Sequence, residues 1–356
     1  MSESLVSIVG IGSVSPYGPI AGPISRRAIA PAAITAWATE GVRRAFLVEP
    51  FRPASVVPGV KTRRLDRLSA WALVASSLAI RDAGIDLSQV DRSRVAVFFS
   101  TGFGCVELTE SFFRSAAANG WGGTDPITFP ETLANSPASH VALFHGLRGP
   151  NITIGSKSFG GESALIQAAS LLRHGQADLA IVLSGDTITQ AVYEWYEASG
   201  LLSPACYSAE PWVGGCGFVP SEGVAALVLE SAGSRDAHTY GHLREGRWTA
   251  GGHSLELIRT MLQGTVPDLI VCAGNGEPCA PSPVAKLARE IGGHDAVIIP
   301  PDAVAAGMAD TGALLHLILG LSNGPKSGLA LLLGTAGITG DLSRNHGFAA
   351  LLLELP

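Results

Sequence analysis

The sequence predicts a layered α/β fold of two similar halves. Three observations carry this. Short apolar strands alternate with helices rich in small residues. Several of those strands are apolar on both faces, which places them in sheets covered on both sides. And 356 residues exceed a single minimal core, so two packed halves meeting near residues 232–250 are the simplest organisation.

Taken in order, residues 5–12 (LVSIVGIG) form a buried strand closed by glycines and Pro16. The Pro/Ala-rich stretch 19–58 makes a short helix and irregular loop. Leu65, Leu68, Trp71, Ala72, Ala75, Leu78 and Ala79 recur at helical spacing, and Gly84 ends that helix. Residues 95–99 (VAVFF) are the next strand, followed by the glycine turn 101–104. A helical pattern covers 129–146 until Gly149 and Pro150 stop it. Strand 151–154, a small-residue helix over 160–174 and strand 178–183 follow, and 217–230 reads as strand, turn, strand. The rhythm then repeats: strand 269–272, helix 283–291, strand 296–299, helix 311–321, and strands 329–333 and 348–353.

Composition excludes several classes. Hydrophobic residues make up 47% and charged ones 15%, which is incompatible with a disordered chain. The longest apolar candidate, 312–321, is interrupted by His316 and falls short of the ~18 residues a membrane span needs. The N-terminus lacks the basic and apolar segments of a signal peptide, so a cytoplasmic protein with no membrane partner is expected. A net charge of −6 argues against nucleic acid as the main partner. The five cysteines (Cys105, Cys206, Cys216, Cys272, Cys279) are scattered, with neither a disulfide framework nor metal spacing. Gly10-x-Gly12 lacks the third glycine of a dinucleotide loop; with no metal spacing among the cysteines either, neither cofactor nor metal is expected.

Chemistry points to residues 149–161 (GPNITIGSKSFGG). A strand running into a tight turn and then a helix presents the turn residue, Ser158, to the helix N-terminus. Backbone N–H groups there stabilise an anionic nucleophile or an oxyanion.

At this point the chain resembles a family. Residues 8–16 (IVGIGSVSP), 65–69 (LDRLS) with 82–84 (DAG), 99–104 (FSTGFG), 135–150, 177–185 (ADLAIVLSG) and 217–230 (GFVPSEGVAALVLE) are similar to the β-ketoacyl synthases, the condensing enzymes of fatty-acid and polyketide synthesis. The resemblance is good over residues 1–230 and poor beyond. It implies the thiolase-like duplicated αβαβα five-layered fold, with halves at 1–240 and 241–356.

The resemblance also exposes departures. The family's acyl-carrying cysteine corresponds to Ser158, its first catalytic histidine to Gly274 within 273–278 (AGNGEP), and its lysine and second histidine to Pro301 and Ala306. The closing glycine-rich loop becomes 334–340 (GTAGITG). Decarboxylative condensation needs a thiolate and imidazole donors. Serine is a weak nucleophile without an adjacent base, and glycine and alanine side chains donate nothing. Asn275 and Ser282 add polarity without a recognisable constellation. Of the histidines, His140 and His145 lie on a core helix, His174 ends one, His316 is inside an apolar helix, and His346 lies in a late loop.

Two surfaces complete the reading. Lys61, Arg63, Arg64 and Arg67 place four cations in seven residues at a helix start, where the resemblance implies docking of acyl carrier protein. An ordinary solvated helix end is the alternative. Phe112, Phe113, Thr128, Phe129, Thr132 and Leu133 fall where related synthases build the dimer interface and the wall of the partner's acyl tunnel, or else are core. The expectation is a non-catalytic, chain-length-factor-like subunit that forms a heterodimer with an active ketosynthase, although chain-length factors often carry glutamine where Ser158 stands. The alternatives are an enzyme using Ser158 for acyl transfer, hydrolysis or decarboxylation, and a homodimeric acyl-binding scaffold.

Overall fold

The computed structural model describes residues 5–35, 37, 42–157, 159–206, 217–231, 238–250, 254–273, 283–293, 296–299, 302–308, 311–335 and 347–356. The first half contains β1 (Val6–Ser15), β2 (Gly18–Ala21), β3 (Ala32–Ile34), β4 (Arg43–Ala45), α1 (Pro53–Val56) and α2 (Arg67–Asp82). It continues with β5 (Val95–Thr101), α3 (Val106–Asn119), α4 (Ser136–His145), β6 (Asn151–Gly155), α5 (Gly160–Arg173), β7 (Leu179–Asp186), α6 (Gln190–Ala198) and β8 (Gly223–Ser231). The second contains β9 (Gly241–Ala250), α7 (Ser254–Leu262), β10 (Leu269–Ala273), α8 (Pro283–Gly292) and β11 (Val297–Ile299), then α9 (Ala303–Gly307), α10 (Ala313–Asn323), β12 (Gly328–Thr335) and β13 (Gly347–Leu355).

Strand order exposes a duplication. The first half runs β1-β8-β7-β5-β6 and the second β9-β13-β12-β10-β11, the same order when each half is counted from its own first strand. Pair by pair the directions also match: β1–β8 and β7–β8 are antiparallel and β5 is parallel to β7 and β6, as in β9–β13, β12–β13, and β10 with β12 and β11. A short antiparallel contact, Val6 to Ile8 against Gly241 to Leu243, joins the two five-stranded sheets edge to edge.

Strand alternation builds the layers. Ala96 and Phe98 of β5, Val182 of β7 and Leu227 of β8 face a central core with Ala168 of α5, while Val97, Phe99, Ile181 and Val228 face the outer helices α2 and α4. In the second sheet Val271, Leu332 and Leu351 face the same central core, and Ile270, Leu331 and Phe348 face α7 and α8. Helices α5 and α10 therefore lie between the sheets, giving the five αβαβα layers of the thiolase-like fold.

Asp66 starts α2 by accepting the Leu68 N–H at 2.9 Å, and Gly84, at φ +61°, terminates it. The helix lies so close to β1 that a Cβ on Gly12 would stand 2.5 Å from the Ala79 nitrogen and 2.6 Å from the Ala75 carbonyl oxygen. Only glycine permits that approach.

Local predictions needed correction. Within 129–146 only Ser136–His145 is α-helix, and Phe129–Thr132 is a single 3₁₀ turn. Pro130 and Pro137 lack the N–H that a continuous helix would bond. Residues 217–230 hold one strand, β8, with Phe218 bridging to Leu202 instead of forming a first hairpin strand. Helices α3, α6, α7 and α9 and strand β9 are not among the predicted elements, and the stretch predicted as a short helix and irregular loop over 19–58 also holds β3, β4 and most of β2. Among the described residues no helix is long and apolar enough to cross a membrane.

Candidate functional site

The turn between β6 and α5 is held from both sides. The Ser156 N–H donates to the Thr101 carbonyl at 3.1 Å, and the Ser163 N–H closes onto the Phe159 carbonyl at 2.8 Å. Phe159 is buried at φ +54°, ψ 25°, a left-handed conformation costing a non-glycine residue on the order of 1 kcal/mol. Behind it a Cβ on Gly161 would meet Leu314 of α10 at 2.7 Å, so the glycine lets the two central helices touch. Ser158, Gly274, Pro301, Asn275, Ser282 and His346 lie outside the described residues. Ala306 is on α9.

One site residue escaped sequence reasoning. Glu162, in the first turn of α5, is 1% exposed. It continues the stripe formed by Leu165, Ala169 and Leu172, and that spacing was the available signal for an inward carboxyl. Its Oε1 lies against Gly334 at the end of β12, where a Cβ would overlap it. A carboxyl here stands in the positive field of the helix N-terminus that a thiolate or oxyanion would otherwise use.

Lys157, next to Ser158, extends over aromatic rings. Its Nζ is 2.9 Å from the Phe103 centroid and 5.0 Å from that of Trp195. Phe103 packs edge-on against Trp195 and Tyr196, and Tyr196 against Phe218. Beneath the ring, Asp186 accepts the Thr101 hydroxyl at 2.5 Å and the Gly102 and Phe103 N–H groups at 2.9 and 3.0 Å. Burial pushes the Asp186 carboxyl above its ordinary range, opposed first by the hydrogen bonds from Thr101, Gly102 and Phe103 and then by the Lys157 charge. An ammonium held in a cation–π contact has no lone pair with which to deprotonate a serine.

Histidines sit elsewhere. His140 Nε2 pairs with Glu131 at 2.7 Å, and His174 Nδ1 bonds the Ser170 carbonyl at 2.8 Å. His145 Nε2 meets the Ser76 and Ser77 hydroxyls at 3.2 and 3.4 Å, and burial pushes its pKa down to about 4. His316 is fully buried and burial holds it neutral; Nδ1 donates to the Gly312 carbonyl and Nε2 accepts the Asp302 N–H. Among the described residues no histidine bonds to the elbow.

Four cations divide into two groups. Lys61, Arg63 and Arg64 are exposed. Arg67 turns inward: its guanidinium pairs with Glu107 at 3.1 Å and with buried Glu222 at 3.2 Å, donates to the Ile188 carbonyl and stacks over Trp71.

The aromatic segment forms a surface. Phe112 is buried and touches Phe113 and Phe129, and Phe113 touches Trp121. Phe113, Phe129 and Leu133 are exposed, as are Trp121, Ile127, Leu143 and Phe144, four that sequence reasoning left out. Thr128 and Thr132 are half-buried, bonding Asp125 and the Phe129 carbonyl. Strand β6 ends the sheet beside α4, and its outer edge has no partner strand among the described residues.

Comparison with known proteins agrees with this geometry. The sequence model of the β-ketoacyl synthase N-terminal domain matches residues 25–234. The chain belongs to the β-ketoacyl synthase family. Its relatives include 3-oxoacyl-[acyl-carrier-protein] synthase 2 of Vibrio cholerae, 27% identical over 67% of this chain and 62% of that protein. The Vibrio harveyi synthase of the same name is 28% identical over 56% and 51%, and nodulation protein E of Rhizobium leguminosarum 29% over 50% and 45%. The chain thus spans about half to three-fifths of the length of these curated relatives. Among solved structures, a β-ketoacyl synthase from Burkholderia phymatum superposes with TM-score 0.77 at 16% identity, covering 99% of this chain and 100% of that one. A type II polyketide ketosynthase solved with its acyl carrier protein gives 0.76 at 15%, with 99% and 100% covered. The ishigamide ketosynthase/chain length factor gives 0.72 at 20%, with 99% of both covered. These likenesses establish the ketosynthase fold.

Proposed function

We propose that this chain is a non-catalytic, chain-length-factor-like member of the family. In this reading it pairs with an active β-ketoacyl-ACP synthase in fatty-acid, polyketide or polyene synthesis and shapes that partner's acyl tunnel. The observation that carries it is the exposed apolar surface of Phe113, Trp121, Ile127, Phe129, Leu133 and Leu143 beside the open edge of β6. Exposed apolar side chains beside a strand edge that has no partner among the described residues fit a buried protein–protein interface. The chemistry supports a silent role: the resemblance sets serine, glycine and alanine against the family's cysteine and two histidines, Lys157 is engaged over Phe103, and a carboxyl occupies the first turn of α5.

The halves of the reading are 1–240 and 241–356, and its site of action is the cytoplasm. Exposed Lys61, Arg63 and Arg64 would steer an acidic acyl carrier protein, with Arg67 serving the fold.

The test is co-expression with an active β-ketoacyl-ACP synthase of the same organism. A stable 1:1 complex whose condensation rate is unchanged by Ser158→Ala is expected. Leu143→Asp on the exposed patch should weaken the complex by about tenfold or more. A homodimer that ignores the ketosynthase, or an acyl adduct on Ser158 by intact mass, would overturn the reading.

A further inference from the structure

A cavity of about 330 Å³ lies where the chain after β2 crosses the start of α9. Tyr17, Arg26, Arg27, Ile29, Asp302 and Val304 line it. Its one carboxylate is fully engaged. Asp302, 6% exposed, takes the Val304 and Ala305 N–H groups on Oδ1 at 3.0 and 3.3 Å. On Oδ2 it takes the Tyr17 hydroxyl at 2.9 Å and Arg26 Nε at 3.2 Å. A carboxylate has about four lone-pair sites, and all four are filled.

Its donors are not used up. Each guanidinium carries five N–H groups. Arg26 spends Nε on Asp302, and Arg27 spends one Nη2 hydrogen on the Tyr17 carbonyl at a long 3.4 Å. The backbone around them is fixed independently, by the Ile24 N–H to Ser322 at 3.0 Å and the Arg26 N–H to Asn323 at 3.1 Å on α10. Two guanidiniums face the cavity against one carboxylate, and Ile29 and Val304 supply an apolar wall.

We infer that this cavity binds a phosphate monoester carried on a short organic stem, the phosphate on the free N–H groups of Arg26 and Arg27 and the stem against Ile29 and Val304. Paired guanidinium forks match a tetrahedral dianion better than a single carboxylate, which needs only one fork. Its lining residues are other than those of the β6–α5 turn and of the exposed aromatic surface.

The test is calorimetric titration of the purified chain with propyl phosphate, and with propionate, at low and high salt. Saturable propyl phosphate binding is expected, weakened by salt, with propionate at least about tenfold weaker. Arg27→Gln should lower propyl phosphate affinity about tenfold, and Arg26→Lys less than Arg26→Gln. Thermal unfolding without ligand separates loss of binding from loss of fold, Arg27 being exposed and bonded once. Absent binding, equal affinity for propionate, or unchanged affinity in folded Arg26→Gln/Arg27→Gln would overturn the inference.

Discussion

Replacing Arg67 by glutamine separates a structural cation from its exposed neighbours. Glu222 has a 1% exposed side chain; it accepts the Val48 and Ile188 N–H groups at 3.2 and 3.1 Å and faces the Arg67 guanidinium at 3.2 Å. Removing one member of a buried pair costs about 3–5 kcal/mol, because the remaining charge stays desolvated. The Arg67 side chain is 37% exposed, so water reaches one side of the pair, and Glu222 keeps two N–H donors. Both facts place the loss at the low end, about 3 kcal/mol. Chemical denaturation at neutral pH measures it, with Arg64→Gln as the exposed control expected to stay within about 0.5 kcal/mol of wild type. The double variant Arg67→Gln/Glu222→Gln should recover part of the loss, giving a coupling of about 1–3 kcal/mol. Burial already raises the Glu222 pKa, and losing Arg67 raises it further. The native variant then binds a proton more readily than the unfolded chain, so its deficit shrinks as pH falls through that raised pKa. An Arg67→Gln protein as stable as the Arg64→Gln control would refute this reasoning.

Three further outcomes follow from the packing. His145 titrates near 6.5 when unfolded and at about 4 when folded, so stability is complete above pH 6.5 and declines between 6.5 and 4. His145→Gln should flatten that decline in pH-dependent denaturation, by up to about 3 kcal/mol. Gly12→Ala forces a methyl against the backbone of α2 at Ala75 and Ala79, and should lower stability by about 1–3 kcal/mol or more in the same assay. Tyr17→Phe removes the 2.9 Å hydrogen bond to buried Asp302 and should cost about 1–2 kcal/mol in thermal unfolding, with the fold intact by circular dichroism.

Most of the fold was legible because its strands are buried on both faces. Every residue of β5 and β7 is buried, and such runs of Val, Phe, Ile and Leu announce themselves without any alternation. Strand β9 was not, because it pairs with β1 over only three residues and carries Arg244, Glu245, Arg247 and an exposed Trp248. Its strand character comes from pairing with β13, a partner about a hundred residues away that no local window contains. Among the cations, Arg67 looked identical to Arg63 and Arg64. What distinguishes it is Glu222, which tertiary folding alone brings near. Glu162 was missed because a glutamate opening a helix reads as a solvated residue complementing the dipole, and only its place on an apolar stripe says otherwise.

Strand β13 sits between β9 and β12, pairing along both of its sides. It follows the other four strands of its sheet in sequence yet lies inside that sheet, so the second sheet cannot close until β13 has been made. Until then Val6, Phe98 and Val182 have only half of their lid, since the central core draws on both sheets. A chain made only as far as β12 leaves that apolar layer half covered, an aggregation-prone interval that follows from placing the fifth strand of the sheet in its middle.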